Sequence, residues 1–176
     1  SVTLAEPPII PEGDFDIFVI SDVDKNNVVF DNFGGIYRQV KEQGKNAVVL
    51  AQRDSNSIDY EGLLPAVLGD FTEGGLTTVD QVNRFTKDID FGIVENVFDA
   101  SDEGTSIVSA GNSSVISMFN IGEGNVLYYG IIDSENDFKI TPGYPIFWNN
   151  LIYSFTGRGN LNDFNLKTGF ALEVGN

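Results

Sequence analysis

Two aspartates, Asp22 and Asp24, directly follow the apolar run 17–20, and their spacing could support chemistry. In an open α/β sheet, ligands bind where the strands end. Asp-Val-Asp at such an edge is the form used by aspartate-nucleophile phosphohydrolases, in which one carboxylate attacks phosphorus and both help to hold Mg²⁺. The Ser or Thr that this chemistry needs after the next strand is replaced by Ala51-Gln52-Arg53. We therefore interpret the two aspartates as loop carboxylates and as a candidate site for weak Ca²⁺ or Mg²⁺ binding, with a carboxylate-based, Mg²⁺-dependent hydrolase as the alternative.

A cation at this position needs further oxygen ligands, because two carboxylates alone hold a hard cation poorly. The acidic segments 99–103 and 133–137 could supply them if they reach the same edge of the sheet. An EF-hand is excluded, because Asn27 replaces the required glycine and Phe33 stands where the bidentate glutamate belongs. Without convergence, such acidic runs are solvated surface of an acidic protein.

The composition excludes most other catalytic chemistry. The chain has no cysteine and no histidine, so it cannot form a disulfide, a thiolate or imidazole nucleophile–base pair, or a zinc site of nitrogen and sulfur ligands. Serines such as Ser106, Ser109 and Ser114 therefore have no histidine partner. The net charge of −16 repels a phosphate backbone. We expect a protein that is not an enzyme, has no cofactor and binds no nucleic acid.

The N-terminal half predicts a strand–helix–strand unit. Apolar residues 17–20 and 47–50 form two short buried strands. Between them, apolar residues recur at helical spacing over 29–40, with Asn26 or Asn27 as N-cap and Gly44 as the C-terminal stop. Two such strands joined by a helix pair in parallel.

The second half predicts more strands and one further long helix. Its aromatic face includes Trp148, which we assign to the core, with a sugar-stacking platform as the alternative. Thr78 and Gln81 have the form of a capping box before a short helix. The predicted segments are a packed loop at 54–75, strands at 89–94, 105–109, 115–120 and 125–132 with the last two in an antiparallel hairpin, a helix at 144–155, and a last strand at 170–174.

Residues 15–23, 40–50 and 122–130, followed by Tyr144-Pro145-Ile146-Phe147-Trp148-Asn149-Asn150, together resemble the class I glutamine-amidotransferase-like domain. The version they resemble occurs in membrane-anchored von Willebrand factor A and aerotolerance-type proteins. The resemblance implies a flavodoxin-like sheet within a larger exported protein. The family's catalytic cysteine and histidine have no counterpart in this chain, so no catalytic residue is carried over.

These observations lead to one set of expectations. The fold class is α/β: three-layer and flavodoxin-like, with a mostly parallel sheet, helices on both faces and an antiparallel hairpin near the C-terminal half. Residues 1–14 form an irregular lead-in, 15–157 the domain and 158–176 a tail or linker. The expected function is a non-catalytic interaction or scaffold domain of a cell-surface or membrane-anchored protein, with an extracytoplasmic location. Its partner is another protein or another domain of the parent chain; the segment itself makes no direct membrane contact, and its oligomeric state is left open.

Overall fold

The computed structural model describes residues 2–6, 9, 13–28, 31–101 and 104–157. Within these residues the chain forms strands and helices whose order alternates only at the N-terminal end. A short 3-10 helix, Ser55–Ser57, follows the second strand, and another, Asp137–Ile140, precedes the last helix. The main elements are β1 (Ile17–Ile20), α1 (Asn32–Gln43), β2 (Asn46–Leu50), β3 (Val67–Val79), β4 (Ile93–Ser101), β5 (Thr105–Ala110), β6 (Ser113–Ile121), β7 (Gly124–Tyr129) and α2 (Gly143–Phe155).

The described strands form one mixed sheet in the order β1-β2-β7-β6-β5-β3-β4. Only β1, β2 and β7 run parallel to one another, and every other neighbouring pair is antiparallel. The turns at 111–112 and 122–123 explain the antiparallel β5–β6 and β6–β7 pairs, because a two-residue turn can join only antiparallel strands. The prediction of a three-layer, flavodoxin-like fold with a mostly parallel sheet and helices on both faces is therefore wrong: the described residues form mostly strands, and a single α-helix covers part of each face.

The predicted strand–helix–strand unit is confirmed. β1 and β2 pair in parallel and α1 connects them. Gly44 ends the helix with a φ of +66°, a left-handed conformation that glycine adopts without strain. The predicted N-cap is wrong, because Asp31 precedes the helix and Asn26 and Asn27 instead bond to Asp24.

The segment between β2 and β5 departs most from the sequence prediction. Much of the expected loop at 54–75, and the expected capping box at Thr78, lie in β3, which forms a long antiparallel hairpin with β4. The predicted strand at 89–94 begins only at Ile93. β3 is mostly partly buried or exposed, so its apolar pattern is weak, and its partner strand supplies the stabilising cross-strand contacts.

The predicted hairpin and the helix at 144–155 are confirmed. Trp148 is half-buried, with its ring centre 5.0 Å from Tyr129 and 5.2 Å from Phe147. This packing supports the core assignment over a free stacking platform. The predicted last strand at 170–174 lies outside the described residues, and the domain boundaries at 14 and 157 stay predictions.

Each helix packs on a different face of the sheet. Val48 and Leu127 point to the face of α2, whereas their neighbours Ala47 and Val126 point to the face of α1, as the two-residue period of a strand requires. Side chains on both faces are fully buried, so the centre of the sheet has an apolar core on each side. Members on the α1 side include Phe33, Ile36, Val40, Val49 and Tyr128; members on the α2 side include Tyr129, Phe147, Leu151 and Phe155.

Asn46, the first residue of β2, joins three elements beneath this core. Its side chain is buried and donates from Nδ2 to the carbonyl oxygen of Phe155 at 2.9 Å. Its Oδ1 accepts from both the backbone nitrogen and Nδ2 of Asn125, each at 3.1 Å. One amide group thereby fixes the C-terminal end of α2 against the parallel part of the sheet.

Candidate functional site

The carboxyl ends of β1, β2 and β7 meet at one edge of the sheet, because these three strands are parallel neighbours. Such an edge is where ligands bind in open α/β sheets. Polar groups follow each strand: Asp22 after β1, Gln52 and Arg53 after β2, and Asp133 and Glu135 after β7. The sequence prediction of acidic side chains near this edge therefore has the right location, and their partners decide what they can do.

Asp22 and Asp24 do not point to a common centre with other acids. Asp22 is exposed and has a φ of +50°. Asp24 closes its own turn, because Oδ1 accepts from the backbone nitrogen and Nδ2 of Asn26 at 2.9 Å, and Oδ2 accepts from Nδ2 of Asn27 at 3.3 Å. Among the described residues, no three acidic side chains come close enough together to hold a metal ion. Cation binding at Asp22 and Asp24 stays a prediction.

Gln52 fastens the loop after β1 to the loop after β2. Its Oε1 accepts from the backbone nitrogen of Val23 at 2.7 Å, and its Nε2 donates to the carbonyl oxygen of Val23 at 2.8 Å. Nε2 also donates to Oδ1 of Asp54 at 2.7 Å, and Lys25 lies 3.6 Å from the same carboxylate. The Gln52 hydrogen bond, followed by the charge of Lys25, holds the pKa of Asp54 below its usual value. No local sequence pattern indicated this role for Gln52.

Asp133 is held by two tyrosines at the end of β7. The hydroxyl of Tyr129 donates to Oδ1 at 3.0 Å, and the hydroxyl of Tyr144 donates to Oδ2 at 2.5 Å. Burial, and then the neighbouring carboxylate of Asp133, raises the pKa of Tyr144 to about 12 and that of Tyr129 further still. Both phenols are therefore protonated donors at neutral pH, and Asp133 is an acceptor already occupied on both oxygens.

The carboxylate of Glu135 is also held by two neighbouring side chains. Arg53 forms an ion pair with its Oε1, and Asn96 donates from Nδ2 to Oε2 at 3.4 Å. The adjacent Asn136, which is buried, accepts from the backbone nitrogen of Glu95 in β4 at 3.0 Å. The loop after β7 therefore closes part of the outer edge of β4.

The serine hydroxyls singled out in the sequence lie in the antiparallel half of the sheet. Ser106 donates to Oδ2 of Asp80 at 2.6 Å and Ser109 donates to Oδ1 at 2.9 Å. Ser114 donates to Ser106 at 2.9 Å and lies 2.7 Å from Ser117. This is a chain of hydroxyls that ends on one carboxylate, and it ties β5 and β6 to the end of β3.

The side of the sheet along β1, which is one of its two outermost strands, is built differently. The backbone nitrogen of Asn46 donates to the carbonyl oxygen of Asp16 at 3.2 Å. Backbone groups alternate along a parallel strand, so those of Phe18 and Ile20 point toward β2, whereas those of Ile17 and Val19 point away from it. No backbone hydrogen bond from the described residues reaches these outward groups. The side chain of Val19 is 54% exposed, although it lies in the middle of a strand.

A cavity of about 160 Å³ runs along this edge. The cavity is lined by residues 3–5 and Ile9 of the N-terminal segment and by Phe15, residues 17–21 and Val23 in and around β1; Phe33 and Ile36 of α1 contribute apolar surface. A cavity of this volume is large enough for one apolar side chain or a small apolar molecule.

Comparison with known proteins gives a family and a fold. A family model described as a domain of unknown function (DUF7408) matches residues 1–151. No curated protein matches the sequence. The cytoplasmic proteins STM1381 from Salmonella typhimurium LT2 and STM3548 from Salmonella typhimurium have similar structures, with TM-scores of 0.67 and 0.63, both at 15% identity. The matches cover 80% and 78% of this chain, and 72% and 70% of those proteins. A β-galactosidase from Rahnella sp. R3 matches with a TM-score of 0.57 at 11% identity, over 78% of this chain but only 22% of the enzyme.

These findings correct two expectations. The resemblance to amidotransferase-like domains of von Willebrand factor A and aerotolerance-type proteins is wrong: the matching family is a different one, the structural neighbours reported above are of other kinds, and the sheet is mixed. The extracytoplasmic, membrane-anchored location rested on that resemblance and is wrong with it, since the two most similar structures reported above are those of cytoplasmic proteins. Neither helix in the described part of the chain has the length and apolar character needed to cross a membrane.

Proposed function

The chain belongs to the DUF7408 family of domains of unknown function, and we propose that it is a non-catalytic interaction domain. It binds a protein partner or another domain of its parent chain. The observation that carries this proposal is the state of the carboxylates at the carboxyl edge of the parallel strands. Asp133 is held by two tyrosines, Glu135 by Arg53, and Asp54 by Gln52.

Internal bonding of this kind favours a structural role. A general base or nucleophile needs a free lone pair directed at the position of a substrate. The carboxylates of Asp133, Glu135 and Asp54 instead hold loops together, and the last two are also paired with Arg53 and Lys25. The alternative, a Mg²⁺-dependent hydrolase, depends on Asp22 and Asp24, which form no metal-binding group with a third acidic side chain among the described residues.

Hydrolysis of p-nitrophenyl phosphate with MgCl₂ distinguishes the two hypotheses. We expect no turnover that depends on the aspartates, so the wild type and an Asp22→Asn, Asp24→Asn double variant should give the same background rate. Asp70→Asn, at an exposed position in β3, is the matched control for lost charge. Saturable, Mg²⁺-dependent hydrolysis that disappears only in the double variant would establish the enzyme and reject the interaction domain.

Thermal melts test the cation site separately. The chain repels itself at a net charge of −16, so NaCl should raise the melting temperature by screening. Because the acids do not converge, Ca²⁺ or Mg²⁺ should raise it no more than NaCl does at equal ionic strength. A larger divalent effect that is lost in the Asp22→Asn, Asp24→Asn variant would show that a metal site forms there.

A positive test of interaction uses a displayed library of random peptides selected on the purified, folded domain. We expect enriched sequences that bind saturably in solution as synthetic peptides. Recovery of only those sequences that also bind an unrelated acidic protein of similar charge would contradict an interaction function.

A further inference from the structure

We infer that the outer edge of β1 binds an extended, basic segment of a partner protein, which adds to the sheet as a further strand. The inference rests on the proposed interaction function and names its surface and the chemistry of its ligand. Three observations carry it: an edge with outward backbone groups, a cavity with partly apolar walls beside that edge, and a surplus of acidic side chains around it.

The backbone geometry of β1 provides the recognition. Ile17 and Val19 direct their N–H and C=O groups away from β2, and none of the described residues bonds to them through its backbone. An added strand would pair with these groups, as in other cases of strand addition to a sheet edge. The other edge strand is partly closed, because Asn136 bonds to the backbone of Glu95 in β4.

The side chains of β1 lack the features that protect an edge. Natural edge strands are kept very short, are covered by a loop or helix, or carry a lysine, a proline, a bulge or an inward charge that discourages pairing. β1 has the sequence Ile-Phe-Val-Ile and pairs with β2 without a register shift. Val19 is 54% exposed, and the adjacent cavity of about 160 Å³ can take an apolar side chain of the incoming strand. β1 is short, but neither its side chains nor its register opposes the addition of a further strand.

The surrounding charge selects a basic partner. Asp14 and Asp16 precede β1 and Asp22 and Asp24 follow it, with no lysine or arginine in between. Two lysines are already paired with acids: Lys45 forms an ion pair with Asp14, which lowers the pKa of that carboxyl group, and Lys25 lies 3.6 Å from Asp54. The acids at the two ends of β1 therefore attract cations from outside.

Charge also decides against a second copy of this chain. Two β1 edges pairing about a twofold axis would bring the same aspartates together, in a protein with a net charge of −16. Asp16 and Asp22 are six residues apart in the sequence, a span of about 20 Å in extended chain. The fitting ligand is thus a segment of about seven residues, with lysine or arginine toward both ends and an apolar residue for the cavity.

The test uses three fluorescein-labelled heptapeptides and measures binding by fluorescence anisotropy at low salt. The first alternates lysine and valine, the second alternates glutamate and valine, and the third repeats the first with N-methylated valines, which cannot donate backbone hydrogen bonds. We expect saturable binding of the first, none of the second, and at least about tenfold weaker binding of the third.

Variants of the domain locate the surface. Val19→Lys should weaken binding of the lysine–valine peptide at least about tenfold, because it adds a repelling charge at the centre of the edge. Leu76→Lys is the matched control, since Leu76 is a 71% exposed strand residue elsewhere, and should bind as the wild type does. Asp16→Asn with Asp22→Asn should weaken binding several-fold and flatten its salt dependence, whereas Asp70→Asn with Asp88→Asn should change both much less.

Each contrary result has a definite meaning. Equal binding of the N-methylated peptide would show that charge alone attracts it, which overturns strand addition whether or not Val19→Lys folds. Unchanged binding by a folded Val19→Lys variant would move the site away from β1. Dimerisation in sedimentation experiments that Val19→Lys abolishes would assign the edge to a second copy. If peptides from the library bind the wild type and the Val19→Lys variant equally well, the interaction function stands and only the inference about β1 fails.

Discussion

Replacing Asn46 with aspartate tests how the buried amide joins α2 to the sheet. The change keeps the size of the side chain but turns the Nδ2 donor into an oxygen. In the wild type this nitrogen lies 2.9 Å from the carbonyl oxygen of Phe155, at the last residue of α2, and the side chain is 4% exposed. An ionised carboxylate would therefore face the negative end of a helix without a cation beside it.

The expected cost follows from these contacts. Loss of the hydrogen bond costs about 1 kcal/mol, and repulsion from the helix end adds up to about 1 kcal/mol. A buried charge lacking its partner costs about 3–5 kcal/mol, which the two donors of Asn125 reduce by about 2 kcal/mol because they still bond to the other oxygen. We expect Asn46→Asp to lower the free energy of unfolding by about 3 kcal/mol at pH 7.

The same cost must appear as a pH dependence. About 3 kcal/mol corresponds to a rise of about two pKa units for the new carboxyl group in the folded state, from about 4 to about 6. A raised folded pKa means that the stability is lost as the pH rises through about 6 and is regained below about 4. The difference between variant and wild type should thus shrink to about 1 kcal/mol at pH 4, where the protonated group can again donate to Phe155.

Urea denaturation followed by fluorescence measures this difference, because Trp148 is the only tryptophan and lies in α2. Both proteins are compared at each pH, so effects of the other carboxylates cancel. A difference below about 1 kcal/mol at pH 7, or one that does not change between pH 7 and pH 4, would refute the assigned contact.

Three further changes test other parts of the fold. Gly124→Ala should lower the free energy of unfolding by about 3 kcal/mol or more, because a Cβ there would lie 2.0 Å from a backbone oxygen. Gly75→Ala, with open space around it, should change the free energy of unfolding by less than about 1 kcal/mol. Equal urea midpoints of the two variants would contradict this prediction. Tyrosinate absorbance should show Tyr144 ionising near pH 12, and Asp133→Asn should bring this pKa down; an unchanged titration would mean that the carboxylate has no effect. Trp148→Ala should lower the free energy of unfolding by about 3 kcal/mol, and a loss below about 1 kcal/mol would show that the ring contributes little packing.

Local patterns predicted the elements that bury a regular face. The strand at 17–20, the end of α1 at Gly44 and the helix at 144–155 each depend on residues within one short window. The β3–β4 hairpin could not be found in this way, because β3 is poorly buried and its pairing with β4 is decided by a strand some twenty residues away. Continuous apolar strands also suggested a parallel sheet, although only three strands at one end are parallel.

The candidate site shows the same limit. The position of Asp22 after β1 was predictable from an apolar run followed by acids. The partners were not: Asn46 bonds to a residue 109 positions away and Gln52 to one 29 positions away, and no local pattern marks either of them. The apolar run 17–20 was predicted as a buried strand, but its place at the edge of the sheet depends on the order of the seven strands that the structure describes.

The strand order also constrains how the protein folds as it is made. β7 completes the sheet between β2 and β6, yet roughly seventy residues separate its start from the end of β2. At about 5–20 residues per second, a nascent chain would wait several seconds with the inner edge of β2 bare and its valines, fully buried in the finished fold, exposed to solvent. The N-terminal unit and the antiparallel unit would leave the ribosome as two incomplete sheets, vulnerable to aggregation until the last strand is inserted between them. A chain terminated before β7 would never leave that state, so we expect such fragments to bind chaperones or be degraded.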